Sequence, residues 1–136
     1  MKLAYPAIFS PWEDGKGYTV EFPDLAGCVT EGESLAEAIE MAEDAASGWV
    51  LGEMEDGNTI PAASAPASVR VDAGDFVSVV ALDMDAYAEK YGKKSVRKNL
   101  TIPAWLNTFV EQQRINASQV LTDALTAMYQ SKMQTP

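Results

Sequence analysis

The sequence predicts an α+β protein in two parts: a small sheet covered by one helix, then a strand–helix–helix segment that needs a second copy. Three observations point to this. Short runs of alternating apolar and polar residues fill the first thirty positions, a helix-period pattern follows from Ser34, and the charge is split along the chain. Residues 1–89 carry 18 acids against Lys2, Lys16 and Arg70, a balance of −15, whereas residues 90–136 carry Glu111 and Asp123 against seven bases, a balance of +5. Such asymmetry predicts two modules with different partners, residues 1–88 and 93–136, joined where Gly92 interrupts the pattern.

Within the acidic module, Lys2–Ser10 and Gly17–Asp24 alternate loosely. The intervening "PWEDGKG" is rich in turn formers, and its Asp14-Gly15 pair suits a hairpin. A third short strand is expected around Cys28–Glu31, closed by Gly32. Ser34 and Glu37 form a capping box, in which side chain and backbone satisfy each other's orphan groups at a helix start. Leu35, Ala38, Ile39, Ala42, Ala46 and Trp49 then recur at helical spacing, with Glu37, Glu40, Glu43, Asp44 and Ser47 on the solvated side. The helix is expected to fade near Gly48 or Gly52. Glu53–Ser68 reads as loop, and Ser68–Met84 as a strand whose most apolar run is Phe76–Leu82.

The basic module opens on an alternating stretch, Lys93–Thr101. Ser95, Arg97, Asn99 and Thr101 share one face of a strand, and Val96, Lys98, Leu100 and Ile102 the other. Pro103 stops strand pairing and suits the first turn of a helix. Leu106, Phe109 and Val110 follow at i, i+3, i+4. Asn116 then caps a second helix with Val120, Leu121, Ala124, Leu125 and Met128 as its stripe. A lone strand leaves its backbone unpaired, and two short helices cannot close a core. A homodimer resolves both problems, with two strands paired antiparallel and Val96, Leu100, Ile102, Leu106, Phe109, Val120, Leu121 and Leu125 in a shared core.

A two-stranded ribbon fits the major groove of duplex DNA. Arg97 suits guanine O6/N7, Asn99 suits adenine N6/N7, and Thr101 suits a base edge or a thymine methyl. Lys94, Ser95 and Lys98 complete the DNA-facing set. Asn116, Ala117 and Ser118 open a helix N-terminus suited to a phosphate. Charge on a separate module is largely screened beyond about 8 Å at physiological salt, so the −15 does not forbid this binding.

Composition narrows the remaining classes. The chain has 136 residues, is 47% apolar with one cysteine and no histidine, and has no long apolar run, so a cytoplasmic globular protein outside the membrane is expected. The commonest general base is missing. A two-metal nuclease would place an acid inside the first strand, and "LAYPAIF" has none. Cys28 reads as a small buried apolar residue, and no catalytic residue, metal site or cofactor is expected.

Two stretches resemble known families. "GYTVEFPDLAGCVTEGESLAEAIEMAEDA" is similar to the HicB antitoxin domain and follows its PDLPGC-x-T-x-G-x-S-x-x-E-A pattern, with Ala26 where proline is usual. "GNTIPAAS" matches further on, where IPxPS is common. Residues 95–129 resemble a ribbon-helix-helix DNA-binding domain, with Arg97, Asn99 and Thr101 as the outward triplet and Lys98 where an apolar residue is usual. The resemblance implies a degenerate RNase H-like fold without nuclease activity. It also implies a small, basic, mRNA-cleaving HicA-type toxin as partner, and repression of the operon encoding both through operator double-stranded DNA. A homodimer is implied, with a tetramer left open. Pro23, Asp24, Leu25, Cys28 and Glu31 are the candidate toxin-binding residues, with the acidic helix face as the alternative. Two rival readings are a stand-alone ribbon-helix-helix regulator whose first module senses a ligand or protein, and a metal-dependent ribonuclease.

Overall fold

In the computed structural model, which describes residues 1–92 and 94–134, the alternating start of the chain becomes a hairpin. Its strands are β1 (Lys2–Pro11) and β2 (Tyr18–Glu21), paired antiparallel with Phe9 opposite Val20 and Pro11 opposite Tyr18. Trp12 N–H donates to the Gly17 carbonyl at 2.8 Å, Gly15 takes a positive φ of 72°, and the Asp14 carboxylate accepts from Lys16 N–H at 2.9 Å. The predicted Asp-Gly turn is therefore present. β3 (Val29–Gly32) pairs antiparallel with β2, and β4 (Phe76–Asp83) pairs antiparallel with β1 over eight residues, from Lys2 opposite Asp83 to Phe9 opposite Phe76. The sheet order is β3-β2-β1-β4.

Helix α1 (Leu35–Glu55) begins where the capping box predicts, with Ser34 Oγ accepting from Glu37 N–H at 3.1 Å. Its buried stripe is Ala38, Ala42, Ala46 and Val50, and these join Tyr5, Ala7, Phe9, Val20, Phe22, Val80 and Leu82 of the sheet side in one core. Small residues every four positions let the helix lie close to the strands. At Gly32 the approach is so close that a Cβ would fall 2.6 Å from Ala38 Cα.

Several expectations need correction. Leu35 and Ile39 are exposed, because the approach at Gly32 rotates the helix so that its alanines face the sheet. Neither Gly48 nor Gly52 ends α1. A Cβ on Gly48 would lie 3.1 Å from Tyr87 Oη, so the glycine makes room for a neighbour rather than breaking the helix. That neighbour belongs to α2 (Met84–Tyr91), a helix the sequence reading missed. Asp83 caps it by accepting from Ala86 N–H at 3.2 Å, Met84 N–H donates to the Met1 carbonyl, and the Met1 amino group lies 2.6 Å from the Asp85 carboxylate. Because α2 packs on α1, Ser47 is 3% exposed instead of solvated. The loop between α1 and β4 holds one 3-10 turn at Pro66–Ser68.

The chain divides into two compact units, Met1–Lys93 and Lys94–Pro136. Lys93, the first residue of the expected basic module, and Thr135 and Pro136 at its end lie outside the described residues. The second unit contains α3 (Ala104–Gln112) and α4 (Ala117–Gln134). Pro103 stands at the N-cap of α3, one position before the first turn expected for it. Residues 94–103 carry no strand assignment in the single chain. A strand is defined by its ladder, and nothing in one copy supplies the other rung.

Two glycines give opposite tests of this packing. Gly52→Ala, with open space around its Cβ position, should raise stability by up to about 1 kcal/mol through helix propensity. Gly32→Ala should lower it by about 1–3 kcal/mol through overpacking against the α1 backbone. Urea melts of both variants check the signs.

Candidate functional site

In the first unit, "FPDLAGC" folds into consecutive turns that carry β2 into β3. Leu25 N–H donates to the Phe22 carbonyl, Cys28 N–H to the Leu25 carbonyl at 2.9 Å, and Phe22 N–H to the Cys28 carbonyl at 3.1 Å. Gly27, at φ 79°, supplies the left-handed step that closes them. Leu25 and Cys28 point into the core and are buried, and burial pushes the Cys28 thiol pKa above its ordinary value. Neither side chain presents a surface. Pro23 and Glu31 are exposed.

Asp24 has a structural task. Its two carboxylate oxygens accept from Ser64 N–H at 2.8 Å and from Ser64 Oγ–H at 2.6 Å. The same loop is held by Tyr5, whose hydroxyl donates to the Pro61 carbonyl at 2.6 Å. Burial raises the Tyr5 pKa, and the negative charge of Asp24 raises it further. Trp49 Nε1–H of α1 donates to the Ala26 carbonyl at 3.0 Å. "PDLAGC" and "IPAAS" are therefore two halves of one lock: the first turns the chain, and the second is pinned across forty residues by Asp24.

The second unit has a different character: not one of its described side chains is buried. Val96 is 87% exposed, Leu100 57%, and Ile102, Phe109, Val120 and Leu125 are also exposed, with Leu106 and Leu121 half-buried. Trp105, which the sequence analysis did not single out, is 72% exposed. Met128 stands in the open as well. Lys94, Ser95, Arg97, Lys98, Asn99 and Thr101 are all exposed on the segment leading to α3.

The turn between α3 and α4 is built locally. Ile115 N–H reaches back to the Val110 carbonyl at 3.0 Å and Arg114 N–H to the Glu111 carbonyl at 3.2 Å, a Schellman ending with Arg114 at φ 53° where glycine is usual. Asn116 then caps α4, its Oδ1 accepting from Gln119 N–H at 3.1 Å. Among the described residues, none accepts a hydrogen bond from the N–H groups of Ala117 and Ser118 in the first turn of α4.

Among the described residues, no three histidine, cysteine or carboxylate side chains converge to hold a metal ion, and no helix is long and apolar enough to cross a membrane.

Comparison with known proteins places this geometry. The family described as HicB-like antitoxin of bacterial toxin–antitoxin systems matches residues 5–126. The chain is 33% identical to antitoxin HicB 1 of Photorhabdus laumondii over 87 residues, covering 64% of this chain and 56% of that one. It is 27% identical to an uncharacterized 14.9 kDa protein of Haemophilus phage HP1, covering 81% and 80% of the two chains. Among solved structures it is similar to a chain of a toxin–antitoxin complex from Streptococcus pneumoniae, with a TM-score of 0.60 and 28% identity over 94% of this chain and 99% of that one. The Burkholderia pseudomallei antitoxin HicB shares the fold, with a TM-score of 0.52 and 24% identity over 90% of this chain and 96% of that one.

The Asp24 lock predicts coupled losses. Asp24→Ala should destabilise the first unit by about 1–3 kcal/mol, since hydrogen bonds to a charged acceptor are lost. Ser64→Ala in the same background should add little further. Chemical denaturation of the single and double variants measures the coupling.

Proposed function

This chain belongs to the HicB-like antitoxin family of bacterial toxin–antitoxin systems, and from that premise we propose a protein with two separable jobs and no catalytic one. The first unit neutralises a HicA-type toxin, a small basic mRNA interferase. The second, as a symmetric pair, binds operator double-stranded DNA and represses the operon encoding both proteins.

The observation that carries the reading is the unfinished core of the second unit. Residues 94–134 expose a continuous set of apolar side chains and bury none of those described. A segment in that state cannot offset its own ordering entropy, which runs to roughly 1–2 kcal/mol per residue for the backbone alone. A second copy supplies what is missing. Residues 94–102 gain a ladder partner, and Val96, Leu100 and Ile102 are covered together with Leu106, Phe109, Val120, Leu121 and Leu125. The alternate side chains Ser95, Arg97, Asn99 and Thr101 then form the outer face of a two-stranded ribbon of the size a major groove admits. The N–H groups of Ala117 and Ser118, at the start of α4, suit a backbone phosphate.

Support for the toxin role comes from charge and from the relatives. The 18 acids among residues 1–89 create a field that attracts and steers a basic partner. The similar pneumococcal chain, at 28% identity over 94% of this chain, comes from a toxin–antitoxin complex.

Separation of the two jobs is the test. Arg97→Ala with Asn99→Ala should weaken binding to the operon's own promoter fragment by about 100-fold or more, since each good base contact is worth roughly 1–3 kcal/mol. Neutralisation of toxin in a cell-growth assay should survive in the same variant. Gel-shift titrations beside growth rescue read both, and joint loss in a folded protein would contradict two separable units.

A further inference from the structure

Between α1 and α2 runs a cleft of about 300 Å³ that the lock and the family motifs do not use. One wall is a helical stripe of α1 with Glu40, Glu43 and Asp44; the other is a stripe of α2 with Tyr87, Lys90 and Tyr91. Asp83 stands at the cleft's end. Four carboxylates thus face one lysine.

Three features decide what such a cleft takes. Its volume is at the lower end for a ligand pocket, enough for one long side chain and too small for a cofactor. Its carboxylates are spread along the walls and do not converge as a metal cage, since no three of the described carboxylates can hold one ion. Diffuse negative charge of this kind suits a delocalised cation better than a hard point charge. The aromatic wall already holds a cation: Lys90 Nζ lies 5.2 Å from the centroid of the Tyr91 ring, which is itself packed at 4.6 Å from Tyr87. Lys90 makes no ion pair with the carboxylates across the cleft. The Tyr87 pKa is raised by burial, and the neighbouring Asp44 and Tyr91 raise it further, so its hydroxyl stays protonated beside the acidic wall and available to donate.

We propose that this cleft is a docking site for an arginine side chain of the basic toxin, its guanidinium lying against the Tyr87–Tyr91 wall and paired with Glu43 and Asp44. The guanidinium is planar, stacks on aromatic rings and pairs with carboxylates through two parallel hydrogen bonds, which the cleft offers from opposite sides. Lys90 then acts as an internal competitor that the incoming arginine displaces. The inference rests on the reading of the first unit as the toxin-binding part, and it names where on that unit the contact falls.

Calorimetric titration of the full chain with the HicA-type toxin encoded beside it tests this. Glu43→Gln with Asp44→Asn should weaken binding by about 10-fold or more. Lys90→Gln should tighten it a few-fold, a gain that a merely damaged fold would not give. A charge-matched control in the loop before β4, Asp72→Asn with Asp75→Asn, should change affinity less than about 3-fold, since steering acts on the on-rate and is screened. Equal weakening by the cleft and control pairs would reduce the effect to general charge and overturn the cleft. So would unchanged binding by the cleft pair, or weaker binding by Lys90→Gln. No binding by the unmodified chain would instead bring down the toxin-neutralising reading beneath it.

Discussion

One constraint comes first: the second unit, a segment of about forty residues, has apolar side chains and, among those described, no interior to put them in. Val96, Leu100 and Phe109 are exposed, as is Trp105, and two helices lack a surface that could cover them. Burying a side chain of this size is worth roughly 1.5–3 kcal/mol, and the single chain forgoes most of that for each one. The symmetric pair proposed above would answer it, because the same sequence that lacks a partner strand and a partner pair of helices would provide both when doubled. In that proposed ribbon, turning Val96 and Leu100 inward would turn Ser95, Arg97 and Asn99 outward.

The first unit meets the opposite condition. Its core is closed within one chain by a four-stranded sheet under an alanine-striped helix, and its motif residues are spent on holding that core shut. Hydrogen bonds of the Asp24, Tyr5 and Trp49 side chains fasten two loops, the turn between β2 and β3 and the connection from α1 to β4, which leaves that long connection anchored rather than loose. A conspicuous sequence pattern here marks a structural lock, with Asp24 bonded to Ser64 and with Leu25 and Cys28 packed in the core. Charge and fold divide the labour. The closed unit carries the acidic excess, and the open segment carries the basic one.

Much of this was legible in the residues, and the failures have physical causes. The Ser34 half of the capping box, the Asp14-Gly15 hairpin and the Asn116 cap are local signals, set by hydrogen bonds within a few residues, and each stands where the pattern puts it. Helix α2 was missed because it follows β4 without a break. Asp83 ends the strand and caps the helix at once, and eight residues are too few to show a period. Missing α2 had consequences: Ser47 read as solvated because the element that covers it was not foreseen, and Gly48 read as a stop because Tyr87 was not there to explain it. The exposure of Leu35 and Ile39 depends on a backbone approach at Gly32, which periodicity cannot express. Leu25 and Cys28 stood out as motif members, yet a motif does not distinguish a residue that recognises from one that packs. The exposed Trp105, one helical turn before Phe109, was not singled out although it is as apolar as the stripe beside it.

Sedimentation equilibrium of the full chain, paired with melting curves over a hundredfold range of protein concentration, tests the central claim most directly. The account predicts a two-chain or larger assembly at micromolar concentration, with the transition that unfolds α3 and α4 shifting upward as concentration rises. A single subunit whose α3 and α4 melt cooperatively, at a temperature independent of concentration, would contradict it.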